Sequence, residues 1–334
     1  MVILRTIIVI SANSWLGVWI GLEINLIAII PILVSNSNLN NTEAALNYFL
    51  VQAFASTTLL FSIIIILIIN NLIFTNFLLI YNIPIKLILL SIIIKLGAPP
   101  FHFWFPNVIE NCRWNNAIIL ITWQKIGPIV ILIYFLKINN ILIIFIIIAT
   151  LIGAIGGLNQ TSLRKIIAFS SINHLGWIFI AIIFNENIWF IYFAIYSFLI
   201  LCLILLFKMI KIFYLNQIYT VFIYRPTLKF LFIRSLLSLG GLPPFLGFLP
   251  KWLIIQSLRS IRLNFIGLFL ICIRLITLFY YLKIRFSAFI FNYSEYNYFY
   301  RNFLSNKIIA FLLTINIISL FRFLLIIDLL YNII

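Results

Sequence analysis

The feature that most constrains this chain is the recurrence of apolar runs about twenty residues long over its whole length. A run of that length crosses the roughly 30 Å hydrocarbon core of a bilayer as an α-helix, whereas a barrel strand alternates over about ten residues. Only 8% of the residues are charged, against about 25% in an ordinary soluble domain. Because lipid offers no hydrogen-bond partners, the backbone must pair within each segment. The sequence therefore predicts an all-α polytopic membrane protein.

The predicted spans number about eleven and form a single membrane domain over residues 1–334. The first span is short, and residues 70–83 are interpreted as a connector too short to cross the bilayer. The spans are predicted at 1–12, 15–34, 44–69, 84–106, 116–136, 141–158, 164–183, 188–213, 228–257, 263–282 and 307–327.

The distribution of positive charge predicts the orientation of the chain. The net charge of +16 comes from 22 Lys and Arg residues against 6 Asp and Glu residues. Most basic residues lie at span ends, where they orient helices, so nucleic-acid binding is not expected. Alternate loops carry eleven Lys and Arg residues on one side and four on the other. The positive-inside rule then places the N-terminus on the matrix-equivalent side and the C-terminus opposite.

Two Pro-Pro pairs interrupt the apolar runs, in KLGAPPFHFWFP from Lys95 and in SLGGLPPFLGFLPK ending at Lys251. The pairs lie 144 residues apart, and five spans separate the starts of the two interrupted helices. Repeats with an odd number of helices insert with opposite orientation and form their site at the interface. The sequence predicts two inverted five-helix repeats, over about 44–183 and 188–306, each with a Pro-broken helix.

Four ionisable residues, Lys95, Lys125, Lys251 and Glu23, lie within these apolar runs. A central Lys or Asp costs about 2.5–3.5 kcal/mol on insertion scales, and such charges usually line a proton or ion path. Glu23 is predicted to pair with Lys95, where proline frees backbone carbonyls that require water. Three other readings remain open: a lysine that snorkels to the interface, a lysine that bonds helix carbonyls, and a purely structural salt bridge.

These residues suggest a proton relay. Burial favours the neutral form of a lysine, whereas a carboxylate at about 4 Å favours its charged form. Moving the carboxylate away would therefore cause the lysine to release its proton. His102, which lies just after the first Pro-Pro pair, and His174 are further candidates because imidazole shuttles protons near neutral pH. The commoner role, a hydrogen-bonded core histidine, stays open for both. Arg274 lies in an apolar span without a partner that the sequence identifies.

The three cysteines, Cys112, Cys202 and Cys272, are far apart and form no CxxC or Cys/His spacing. Neither a GxGxxG nor a Walker loop occurs in a strand-to-helix context. The sequence therefore predicts no metal, cofactor or nucleotide site in this chain, and any redox chemistry is expected in other chains.

Several blocks resemble the antiporter-like, proton-translocating subunits of NADH:ubiquinone oxidoreductase (respiratory complex I), in their insect-like form. The resemblance runs in order from about residue 13 to 285. It rests on WLGVWIGLEINLIAIIP, TEAALNYFLVQA, KLGAPPFHFWFP, TWQKIGP, GGLNQTSLRKIIAFSSINHLGW and LSLGGLPPFLGFLPKW.

The resemblance implies a role for each buried charge. Glu23 matches the acidic partner, Lys95 the broken-helix lysine, Lys125 the central lysine and Lys251 the lysine of the second repeat, while His174 falls in a family block. It also implies a multi-pass protein of the mitochondrial inner membrane. Its expected partners are other membrane-arm subunits, neighbouring antiporter-like chains, and lipids such as cardiolipin. NADH, FMN, Fe–S clusters and ubiquinone would be bound by other subunits.

Two other classes of function fit the same residues. A stand-alone cation/proton antiporter of the same fold would pump as an isolated chain, because one fold can serve both activities. A scaffold that only spaces active subunits would need its lysines for assembly and not for proton yield.

Overall fold

The computed structural model describes residues 2–34, 39–71, 78–135, 140–222, 226–243 and 245–290. These residues are almost entirely helical and contain no β-strand. The helices are α1 Val2–Ser11, α2 Trp15–Leu33, α3 Leu39–Asn71, α4 Leu78–Leu96, α5 Trp104–Asn111, α6 Trp114–Ile121, α7 Trp123–Phe135, α8 Asn140–Gly156, α9 Leu163–Phe184, α10 Glu186–Ile210, α11 Leu215–Phe222, α12 Pro226–Gly240, α13 Phe248–Ser260 and α14 Asn264–Ile290.

Six segments of the described residues are helical, long and apolar enough to cross a bilayer. They are Trp15–Leu33, Leu39–Ile69, Trp114–Tyr134, Leu163–Phe184, Glu186–Ile210 and Asn264–Ile284. The prediction of a multi-pass helical membrane protein is therefore confirmed. The count of about eleven spans and the inverted repeats stay predictions, and the span predicted at 307–327 lies outside the described residues.

Some helix boundaries differ from the predicted ones. Helix α4 begins at Leu78, within the segment interpreted as a connector, of which residues 72–77 lie outside the described part. The span predicted at 116–136 consists of α6 and α7, which meet at Thr122. The Thr122 hydroxyl and backbone N–H both donate to the carbonyl of Ile118, at 2.7 and 3.0 Å.

Both helices predicted to be broken are interrupted. The first break separates α4 from α5 over residues 97–103, and the second separates α12 from α13 over residues 241–247. Each first half-helix ends immediately before a glycine in the left-handed region, Gly97 at φ +67° and Gly241 at φ +76°. A left-handed glycine is a common helix terminator because it carries no Cβ. The glycines end the helices, and the prolines that follow prevent continuation.

Packing divides the chain into two compact units, unit 1 over Met1–Ala149 and unit 2 over Thr150–Ile334. Unit 1 has a core cluster in which Trp104 packs against buried residues of α2, α3, α5 and α6. In unit 2, α9 is the most buried of the candidate spans, with 89% of its apolar window inside. The predicted repeats, 44–183 and 188–306, concern the membrane topology and divide the chain at a different place from these two compact units.

Candidate functional site

A cavity in unit 1 is lined by both Lys95 and Lys125. About 30 Å³ of it is open to the centre of a water molecule, which is room for one or two waters. Its other polar lining residues are Asn25, Tyr48, Gln52 and Gln124. The cavity therefore combines two basic groups with hydrogen-bonding groups that can hold water between them.

Lys95 lies in the last turn of α4, directly before the first break, and is 8% exposed. Its backbone carbonyl accepts a hydrogen bond from Gln52 Nε2 of α3 at 3.2 Å. That bond satisfies one of the carbonyls that the end of a helix leaves open. The break thus sets Lys95 at a helix end inside the unit rather than in the middle of a continuous helix.

Lys125 lies in the first turn of α7, just after the interruption at Thr122, and is 2% exposed. Among the described residues its Nζ has no hydrogen-bond partner, although it lies 4.8 Å from the centre of the Phe105 ring. A buried amine of this kind is costly to leave without partners. The adjoining cavity is the place where water can supply them.

Glu23 lies on α2 and is half-buried. It is not among the residues that line the cavity of Lys95 and Lys125, and its pairing with Lys95 stays a prediction. The backbone next to it is also engaged, because Arg5 of α1 donates to the carbonyl of Ile24 at 3.0 Å. An arginine of the first helix therefore anchors that helix at the level of the acid.

The sequence analysis missed an amide pair in this cavity. Asn25 Nδ2 donates to Gln124 Oε1 at 3.1 Å, and Gln124 Nε2 donates back to Asn25 Oδ1 at 3.4 Å. Tyr48 also donates its hydroxyl to Gln124 Oε1 at 3.5 Å. The signal was present, because both amides are polar residues in apolar spans and lie beside Glu23 and Lys125 in sequence.

Replacing Gln124 with leucine alone is expected to lower the stability of unit 1 by about 1–3 kcal/mol, because Asn25 would lose its partner while buried. The double variant Asn25→Leu/Gln124→Leu should recover most of that loss, since both polar groups are then gone. Thermal unfolding of the full-length protein in detergent measures both. A double variant as unstable as the sum of the two single variants would contradict the pairing.

Lys251 forms a second basic centre, in unit 2. It lies in the first turn of α13, across the break from α12, and is 3% exposed. Its Nζ donates to the carbonyls of Leu239 at 3.0 Å and Gly240 at 3.3 Å, and lies 5.9 Å from the Trp177 ring. A cation at the carbonyl end of a helix is favourably placed in the field of the helix dipole.

The two histidines have different surroundings. His174 is buried on α9, with its Nδ1 2.8 Å from the Tyr192 hydroxyl and its ring centre 4.7 Å from that of Tyr196. His102 lies in the first break, where its Nδ1 is 3.3 Å from the carbonyl oxygen of Pro100. It is not among the residues that line the cavity of Lys95 and Lys125.

Metal binding has no candidate in the described part of the chain, where no three His, Cys, Asp or Glu residues are grouped. The two described centres are instead made of lysines, amides, hydroxyl groups and imidazole. These groups can donate, accept and exchange protons. The arrangement is suited to moving protons through each unit.

Comparison with known proteins gives one consistent family. Residues 12–277 match the family described as "NADH:quinone oxidoreductase/Mrp antiporter, TM". The NADH-ubiquinone oxidoreductase chain 2 of Anopheles gambiae is 48% identical over 322 residues, which cover 96% of this chain and 93% of that protein. The chain 2 of Aedes aegypti is 48% identical over 332 residues, which cover 99% of this chain and 96% of that protein.

Solved structures share the fold. A chain of respiratory complex I from Thermus thermophilus with bound Aureothin matches with a TM-score of 0.82 at 21% identity, covering 97% of this chain and 76% of that one. A chain of the Mrp complex from Dietzia sp. matches with a TM-score of 0.76 at 17% identity, covering 86% of this chain and 59% of that one. The same fold therefore occurs in a respiratory complex and in an Mrp complex.

Proposed function

This chain belongs to the NADH:quinone oxidoreductase/Mrp antiporter transmembrane family, and we propose that it is a core membrane-arm subunit of an NADH:ubiquinone oxidoreductase. In that role it takes part in a proton translocase without carrying a redox centre of its own. Its contribution is to couple the electron transfer of the complex to proton movement through buried Glu, Lys and His residues.

The observation that carries this proposal is the cavity shared by Lys95 and Lys125. A lysine that only snorkels would reach the interface, whereas these side chains are 8% and 2% exposed and adjoin space for water. A lysine that serves helix packing would be hydrogen-bonded to neighbouring carbonyls, and Lys125 Nζ has no such partner among the described residues. Proton exchange through water explains both features.

The proposed step in unit 1 is a transfer between two amines. The Lys95 ammonium breaks one N–H bond and gives the proton to a cavity water, and a proton from that water forms an N–H bond on neutral Lys125. Lys95 becomes neutral and Lys125 becomes charged, so one positive charge moves and the water is restored. Glu23 controls the direction, because its carboxylate stabilises the charged form of Lys95 only while it is near.

In unit 2 the proposed carriers are His174 and Lys251. His174 can take a proton on one ring nitrogen and release one from the other, with Tyr192 fixing the ring through Nδ1. The Lys251 ammonium donates to two carbonyls at the second break, and it releases a proton and becomes a neutral amine when that contact loosens. His102, in the first break, stays a proposed further member of the relay.

The chain would lie in the mitochondrial inner membrane with its N-terminus in the matrix and its C-terminus in the intermembrane space, with about eleven spans in two inverted repeats. Its partners would be other membrane-arm subunits, neighbouring antiporter-like chains, and lipids such as cardiolipin. NADH, FMN, Fe–S clusters and ubiquinone would be bound elsewhere in the complex.

A stand-alone cation/proton antiporter is the second candidate, favoured by the fold shared with the Mrp complex. The insect relatives at 48% identity carry the name of an oxidoreductase chain over nearly their whole length and support the first candidate. Native gel separation with mass spectrometry distinguishes the two. The chain should migrate in a very large NADH-oxidising assembly, and migration alone would favour the antiporter.

Replacing Lys95 with methionine is expected to reduce the protons moved per NADH oxidised by about tenfold or more, because positioned proton carriers contribute at least that much. The measurement is proton uptake or release by the assembled complex in sealed vesicles, with NADH oxidation followed in parallel. Lys86→Met is the matched control, since Lys86 lies on the same helix but is exposed. Wild-type proton yield in the Lys95 variant would refute the proposal.

A further inference from the structure

The carbonyl end of α12 is held in an unusual way. A helix leaves its last four carbonyls without partners in the helix itself. Those of Leu237 and Ser238 accept from backbone N–H groups just beyond the helix, at 3.0–3.3 Å. The last two carbonyls, of Leu239 and Gly240, accept instead from cationic side chains. The backbone therefore caps the first two of these carbonyls, and cationic side chains cap the last two.

Two cations converge on this helix end. Lys251 Nζ donates to Leu239 and Gly240, and Arg274 Nε of α14 donates to the same Gly240 oxygen at 3.3 Å. The two nitrogens lie within 6.6 Å of each other, because each is 3.3 Å from that oxygen. The guanidinium is also 5.5 Å from the Phe248 ring, which opens α13. Arg274 thus spans both halves of the broken helix.

The helix end at the first break is capped by a different kind of donor. There the carbonyl of Lys95 accepts from a neutral amide, Gln52 Nε2, at 3.2 Å. Lys95 itself belongs to the helix that ends at the break, whereas Lys251 belongs to the helix that begins after it. A neutral donor can remain in place whatever the charge of Lys95. At the second break the donor Lys251 is itself the proposed proton carrier, so its hydrogen bonds change strength when it loses its proton.

We propose that Arg274 is a positioning residue for proton transfer at Lys251, acting as a permanent counter-charge for the carbonyl end of α12. This inference rests on the proposed function, because it requires Lys251 to gain and lose a proton. An arginine remains charged throughout. The helix end therefore keeps one cation and one charge-assisted hydrogen bond while Lys251 is neutral, and the break does not rearrange.

The Lys251 ammonium breaks one N–H bond and passes the proton to water or to a neighbouring acceptor, leaving a neutral amine. Its bonds to the two carbonyls weaken, because charge-assisted hydrogen bonds are roughly twice as strong as neutral ones. Arg274 retains its bond to Gly240, and reprotonation restores the starting arrangement.

Two variants of Arg274 separate its charge from its hydrogen bond. Glutamine carries its amide nitrogen at the same position along the side chain as arginine Nε, so Arg274→Gln keeps a donor without the charge. Arg274→Lys keeps the charge. We expect Arg274→Gln to lower the protons moved per NADH oxidised roughly tenfold, as for loss of a charge-assisted bond in a buried site. Arg274→Lys should retain most of this proton yield.

The readout is protons moved per NADH oxidised by the assembled complex in vesicles, together with the amount of complex assembled. Arg259→Gln is the matched control, because Arg259 is exposed near the end of α13. Wild-type proton yield in Arg274→Gln would overturn the inference. An equal loss of proton yield in Arg274→Gln and Arg274→Lys would also overturn it. So would a smaller amount of assembled complex with unchanged proton yield. Each of these two results would indicate that Arg274 is only a structural anchor.

Lys251→Met keeps the failure of this inference distinct from that of the proposed function. If Lys251→Met translocates protons normally, the proposed function of Lys251 fails and the role of Arg274 fails with it. If Lys251→Met loses translocation while Arg274→Gln does not, the function stands and only the role of Arg274 is wrong.

Discussion

Replacing Lys125 with methionine is expected to lower proton translocation about a hundredfold or more, while leaving assembly intact and raising resistance to heat. The loss follows from removing a central proton carrier, since positioned acid–base groups contribute about 10²–10⁴-fold. The gain in stability follows because Lys125 Nζ is buried without a hydrogen-bond partner among the described residues. Methionine fills a similar volume and requires no such partner.

Lys125→Arg is the informative companion variant. It keeps a positive charge beside the cavity but cannot release a proton, because a guanidinium stays protonated. Proton yield per NADH oxidised, measured in vesicles, should therefore be lost in both variants, and thermal stability should rise only in the methionine variant. A Lys125→Arg complex that pumps normally would show that only the charge is needed and would exclude a carrier role.

Replacing Gly247 with alanine is expected to destabilise unit 2 strongly. A Cβ on Gly247 would overlap the backbone carbonyl of Ser238, near the end of α12. A backbone atom cannot rotate away as a side chain can, so the two half-helices must separate at a cost of about 3 kcal/mol or more. Lys251, four residues further along α13, would then lose its carbonyl partners.

Gly267→Ala is the matched control for this effect. Gly267 lies within α14, and the nearest atom to a new Cβ would be 3.9 Å away. Removing a glycine from a helix interior should stabilise the protein by up to about 1 kcal/mol. The two alanine variants are therefore expected to change thermal stability and the yield of assembled complex in opposite directions. A tolerated Gly247→Ala would contradict the close approach of α12 and α13.

The membrane character and most helix positions could be predicted from the sequence, because a bilayer imposes its thickness on every span. The two helix breaks were also predictable, since Pro-Pro pairs cannot continue a helix. Helix ends were less predictable. The interruption between α6 and α7 falls at Thr122 and not at a proline, and α11 Leu215–Phe222 is too short to give a span signal.

The candidate site was predictable only in part. Lys95, Lys125 and Lys251 could be selected because a charge in an apolar run is costly and seldom accidental. The amides Asn25 and Gln124 carry no charge and were missed, although they line the same cavity as two of the lysines. Their importance comes from pairing across 99 residues of sequence, and a single sequence contains no record of such a pairing.

The order of apolar runs, breakers and buried charges determined by itself that this chain crosses a membrane repeatedly and holds lysines inside it. Tertiary structure alone decided what each buried charge meets. Lys125 faces a cavity, Lys251 and Arg274 share one helix end, and His174 contacts a tyrosine of the next helix. The reason is physical: the cost of inserting a charge depends on local composition, whereas its partners depend on how distant helices pack.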